Sequence, residues 1–169
     1  MSRISKNHRP ELIVANHHID IQRACSGIEQ PDDNHLQFWV DSVLQNEPEI
    51  QTLQQELCLR IVDEAEIVAL NQQYRHRTGS TNVLSFPAEN IPEIPENRLG
   101  DIVICAQVVN QEACQQNKTP DSHWAHMVVH GVLHLCGYDH LQEQDARLME
   151  DREVLILKKL GFSNPYEVK

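Results

Sequence analysis

The sequence predicts an α/β fold, a single layered domain with a mixed, mostly parallel sheet of about four strands and about five helices. Two observations carry that prediction. Segments with strand character alternate with segments of helical period along most of the chain, and 169 residues suit one domain with a real core. Residues 1–16, polar and at first unpatterned, read as a loosely held extension, which leaves 17–169 as the domain.

HIDIQRAC alternates apolar and polar residues and predicts a first strand. SGIEQPDDN is rich in turn residues. HLQFWVDSVLQ then places Leu36, Trp39, Val40, Val43 and Leu44 at helical spacing. ELCLRIVD predicts a second strand, and EAEIVALNQQYRHR a helix with Ile67, Leu70 and Tyr74 on one side that stops at Gly79. TNVLSFP predicts a third strand, ended by Pro87. AENIPEIPENR, with two prolines, predicts a long loop. LGDIVICA follows as a buried strand, and QVVNQEACQQN, WAHMVVHGVLHLCG and EQDARLMEDREVLILKKLG as helices, the last ended by Gly161. The acidic stretch DARLMEDRE is expected to be a solvated face.

Composition narrows the function. A net charge of −11 gives no broad electrostatic grip on nucleic acid, so any such contact must be local. No apolar run approaches the length of a membrane span, and MSRISKNHRPELIV lacks the apolar centre of a secretory signal, so a cytoplasmic location is expected. Five cysteines without a C-x-x-C pair suit reduced thiols that mostly fill the core. Cys136, two residues past His134 on a continuing helix, is expected to point away from the histidines.

The stretch HGVLHLCGYDH carries the chemistry. Residues four apart on a helix are neighbours, so His130 and His134 can turn both imidazoles to one cation. Gly137 lets the helix stop in a left-handed conformation, and the returning chain brings His140 as a third ligand. Three protein ligands with a vacant fourth position are the pattern of a catalytic zinc. The expected metal site therefore lies at a helix and the turn after it, with zinc the leading metal and nickel or another divalent ion as alternatives. His126 shares the helix face but sits about 12 Å from His134 along the axis, too far for nitrogens that must lie within about 4 Å on one ion. It is expected in packing or behind a ligand, and His123 is expected before the helix and in solvent. The spacing is that of a large group of zinc proteases, but Gly131 stands where they carry their glutamate.

With these residues in view, the chain resembles the YbeY family, bacterial endoribonucleases that act as ribosomal RNA maturation factors. HGVLHLCGYDH matches the family's H-G-x-L-H-L-x-G-Y-D-H, and TNVLSFP, LNQQYR and LGDIVI match three further blocks, in order from about His18 to Tyr166. The resemblance implies one zinc on His130, His134 and His140, cleavage of single-stranded RNA, and a role in 3′-end maturation of small-subunit ribosomal RNA and in ribosome quality control. It further implies that Arg75 belongs to the functional cleft. A guanidinium there binds phosphate through two hydrogen bonds. The family commonly has Gly-Lys next, where this chain has His76 and Arg77. Positive charge is kept at 77, and Arg75 and Arg77 are the expected RNA contacts.

RNA brings its own nucleophile, the ribose 2′-hydroxyl, or is cut by water that a zinc has activated, so a carboxylate at 131 is less necessary than in a protease. Arg75, His130, His134 and His140 are then the candidate catalytic set. Asp139 and Asp101 are expected in structural roles, capping or pairing with an arginine, ahead of holding a histidine ring. Ser85 is a further candidate for the cleft wall. Expected partners are ribosomal RNA, the small ribosomal subunit and its assembly factors, with neither DNA nor a membrane among them. Two rivals stand: a metalloprotease-like hydrolase, and a non-catalytic assembly factor with a structural zinc.

Overall fold

Period-two burial decides how the strands stack in the computed structural model, which describes residues 16–50, 54–88, 92–93 and 97–167. The elements run β1 (His18–Arg23), α1 (Asp33–Gln45), β2 (Glu56–Val62), α2 (Glu64–Arg75), β3 (Val83–Pro87), β4 (Arg98–Cys105), α3 (Ala106–Gln115), α4 (Pro120–Leu135) and α5 (Glu143–Lys159). The sheet order is β1-β2-β4-β3, with β1, β2 and β4 parallel and β3 antiparallel to β4. This is the mixed, mostly parallel sheet expected. Residues 1–15 of the expected extension, and 89–91 and 94–96 of the expected loop, lie outside the described residues. Among the described residues no helix is long and apolar enough to cross a membrane.

Successive side chains on a strand face opposite sides, and the core divides accordingly. Leu57, Leu59 and Ile61 of β2 with Ile102 and Ile104 of β4 enter the larger cluster, against α1, α4 and α5. Val62, Val103 and Cys105 face the other way and form a smaller cluster with Ile67 of α2 and Leu84 of β3. The five apolar residues predicted for α1 are all buried. Gly100 has φ 136°, and a Cβ there would run into the Phe86 carbonyl of the neighbouring β3, so this position requires glycine.

Helix α4 crosses the centre of the molecule, packing on α1, α3, α5, β3 and β4. Burial on nearly every side explains its continuous apolar character. It begins a turn earlier than its hydrophobic pattern suggests. Thr119 caps it by accepting from Ser122 N–H at 3.2 Å, and Pro120 takes the first helical position. Helix α2 ends earlier than expected, at Arg75, because His76 closes it in the left-handed conformation (φ 55°), three residues before Gly79 (φ 93°). The side chain of Asn71 fixes the following turn by donating to Gly79 O at 3.1 Å.

Candidate metal centre

The end of α4 builds the site. Gly137, at φ 98°, closes the helix by donating its N–H to His134 O at 3.1 Å, and Tyr138 N–H donates to Leu133 O at 3.1 Å. This turn returns the chain over the last helical residues, and Asp139 holds it by accepting from His140 N–H at 2.6 Å. His130, His134 and His140 converge there, with ring centroids 4.6, 4.9 and 5.8 Å apart. Each offers one ring nitrogen, and the three nitrogens lie within 4.8 Å of one another.

Two of the tautomers are fixed from behind. The Nδ1–H of His134 donates to Tyr138 O at 2.9 Å, and that of His130 to the Glu153 carboxylate. In the neutral rings the Nε2 atoms then carry bare lone pairs, yet they face each other at 3.1 Å. Two acceptors cannot hydrogen-bond. A cation reconciles them, and the separation is close to the roughly 3.3 Å that two nitrogens take on one tetrahedral zinc. His134 is kept neutral: burial first, then the neighbouring His130 and His140, bring its pKa down to about 4. The residues present therefore fit a divalent ion, and among the described residues they are the group that could hold one.

Glu153 completes the centre from α5. It is fully buried. Burial pushes its carboxyl up, but hydrogen bonds from His126 and His130 outweigh that and hold it at about 2. His126 Nε2 lies 3.4 Å from Glu153 Oε2, so this buried histidine packs against the same carboxylate as His130. Tyr166 O–H also donates to Glu153.

Two expectations are overturned. His123 lies inside α4 and is buried, its Nε2 2.7 Å from Glu112 Oε2, because the helix starts at Pro120. DARLMEDRE is no uniformly solvated face, since Glu153 within it is buried against His130. The missed signal is its position. Met149, Glu153, Ile156 and Leu157 form the buried stripe of α5, so the glutamate occupies an apolar position of an amphipathic helix. The other carboxylates take the structural roles expected. Asp101 pairs with Arg98 at 2.6 Å, and Asp139 serves the turn. Cys136 is not among the converging ligands, and all five cysteines are free.

Arg75 stands at the exposed end of α2. One guanidinium nitrogen donates to Ser85 O of β3 at 2.6 Å, and the group lies 5.1 Å over the Phe86 ring. Ser85 Oγ in turn donates to Gly131 O at 3.2 Å, next to His130, so β3 links the arginine to the ligand helix. Arg77 is exposed, and its backbone N–H donates to Asn71 O at 3.4 Å.

Comparison with known proteins gives the family. A family model described as Endoribonuclease YbeY matches residues 21–161. The Methylococcus capsulatus protein named Endoribonuclease YbeY is 48% identical over 149 residues, covering 88% of this chain and 94% of its own. The protein of that name from Coxiella burnetii is 46% identical over 151 residues, covering 88% and 97%. The solution structure of a Thermotoga maritima protein aligns with a TM-score of 0.56 at 25% identity, over 88% of this chain and 99% of that one. A match of this length, spanning all three converging histidines, places the chain in the endoribonuclease YbeY family.

Proposed function

We propose that this chain is a zinc-dependent endoribonuclease that cuts single-stranded RNA in the cytoplasm and serves 3′-end maturation of small-subunit ribosomal RNA and ribosome quality control. Family membership supports the ribonuclease activity. The observation that carries the metal dependence is the pair of facing lone pairs on His130 and His134, with the exposed His140 as third donor. A divalent ion held there supplies Lewis acidity toward a phosphoryl oxygen and lowers the pKa of water. The protein's own part is positional. Tyr138 O and Glu153 each take an Nδ1–H and so turn the Nε2 atom of that ring toward the site, and Arg75 gives one N–H to Ser85 O while its other donors remain for phosphate. Arg77 adds positive charge beside it.

A peptidase reading is disfavoured at position 131, where the helix glycine faces the sheet. With net charge −11 the chain gains little from long-range attraction to RNA, which favours delivery by the small ribosomal subunit or an assembly factor. The test compares metal-loaded wild type with His134→Ala, purified in parallel, on an end-labelled single-stranded RNA. Cleavage by wild type alone is expected. Equal cleavage by both, or none by either, overturns the proposal, and cleavage of casein without RNA would replace it with the peptidase.

A further inference from the structure

We infer that Glu153 and Tyr166 are positioning residues of the metal centre, the α5 carboxylate fixing His130 and the C-terminal segment 162–167 holding that carboxylate in place. The inference rests on reading His130, His134 and His140 as the ligand set. Neither residue belongs to the motif blocks, and Tyr166 lies beyond the residues that the family model matches.

Charge makes the first argument. Glu153 is fully buried, and among the described residues its hydrogen-bond partners are two histidines and a tyrosine, with no lysine or arginine. A buried carboxylate without a cationic partner is strongly disfavoured. An ion on the opposite nitrogen of His130 provides the compensating charge through one imidazole. In return the carboxylate sets the tautomer and raises the basicity of that ring, which is how a carboxylate behind a ligating histidine acts.

Tyr166 makes the second. Its hydroxyl donates to Glu153, and its ring meets His126 edge-on at 5.5 Å and 84°. The segment carrying it is anchored independently of the site. Phe162 N–H donates to Leu157 O at 2.9 Å, its ring packs on Trp39 at 6.4 Å, and Lys118 Nζ donates to Pro165 O at 2.9 Å. A cavity of about 350 Å³ runs between this segment and the ligands, bounded by His130, His140, Met149, Glu150, Glu153 and Tyr166. Tyr166 thus contributes one wall of the space that opens on His130 and His140.

The test measures zinc affinity of the full chain by competition with a chromophoric chelator, for wild type, His134→Ala, Glu153→Gln and Tyr166→Phe. Thermal midpoints in excess chelator and the visible spectra of the cobalt-substituted proteins are recorded alongside. Glu153→Gln keeps an acceptor for His130 but removes the charge, and is expected to weaken zinc binding roughly 10- to 100-fold. Tyr166→Phe removes one hydroxyl from a partly exposed residue, so the fold survives while affinity drops several-fold and the cobalt bands shift. Affinities within twofold of wild type in both variants would overturn the inference. So would losses that merely follow the metal-free thermal midpoint. If wild type itself binds no zinc, the ligand set fails and the inference with it, an outcome distinct from wild type binding and both variants matching it.

Discussion

Gly131 of α4 lies directly against Ile102 of β4: a Cβ on the glycine would meet Ile102 Cγ2 at 2.9 Å and Ser85 Oγ at 3.4 Å. The helix therefore presses its backbone onto the sheet one residue after His130, and position 131 faces the sheet and not the open side of the histidines. A glutamate could not act there as a proton carrier without lifting the helix. The departure from the protease pattern is a packing requirement as well as a chemical one.

Gly131→Ala is expected to destabilise the protein. The added methyl displaces a branched side chain that has little room to retreat, a strain of about 1–3 kcal/mol, against about 1 kcal/mol that alanine returns in helix propensity. Gly131→Glu should abolish cooperative folding. Urea unfolding of the metal-free proteins checks both, and an alanine variant more stable than wild type would contradict the packing.

Arg75→Ala is expected to lower RNA cleavage roughly a hundredfold, the scale of losing one preorganised charge donor, while zinc content stays at one per chain. The separation follows from the structure, since among the described residues Arg75 hydrogen-bonds Ser85, which in turn bonds Gly131 of α4, and not the three histidines. Loss of zinc from the variant, measured by elemental analysis, would show that the residue supports the fold and not the reaction.

Stability is expected to fall as pH drops below about 6.5. Burial lowers the His123 pKa, with the Glu112 carboxylate pulling it back up and His126 and Lys118 pushing it down, and burial lowers that of His17 too. The unfolded chain therefore takes up protons that the folded chain refuses. Stability is complete above the unfolded value and is lost as pH falls from there toward the folded one. Urea midpoints between pH 7 and 5 should decline, and His123→Gln should flatten the decline. An unchanged slope in that variant would exclude His123 as its source.

Alkylation should single out one cysteine quickly. Cys114 is exposed, Cys58 and Cys105 are buried, and burial aided by the charge of Glu47 pushes the Cys136 thiol up to about 12. Mass spectrometry after brief iodoacetamide treatment should find Cys114 modified and Cys136 untouched, with or without chelator. Protection of Cys136 that disappears with chelator would make it a ligand.

The parts legible in the sequence were those whose cause is local. His130 and His134 share a helix face because they are four apart, Gly137 ends that helix because it tolerates positive φ, and the buried residues of α1 follow from their spacing. Glu153 was not legible in that way. Its role depends on α5 docking against α4, and its neighbours in DARLMEDRE are charged and mostly exposed. His123 lies inside α4 for a related reason, since Thr119 and Pro120 start the helix before its hydrophobic pattern does. The left-handed cap at His76 instead of Gly79 reflects the fixed turn around Asn71, which side-chain type alone does not reveal.

His130, His134 and His140 occupy one short stretch of chain, whereas the carboxylate behind His130 comes 23 residues later. Local contacts form early and distant ones late. A nascent chain can thus gather the three histidines once α4 and its turn exist, before α5 has been synthesised. Were those histidines to hold a metal, its capture would precede the docking of α5, and that docking would be the step that fastens a provisional complex.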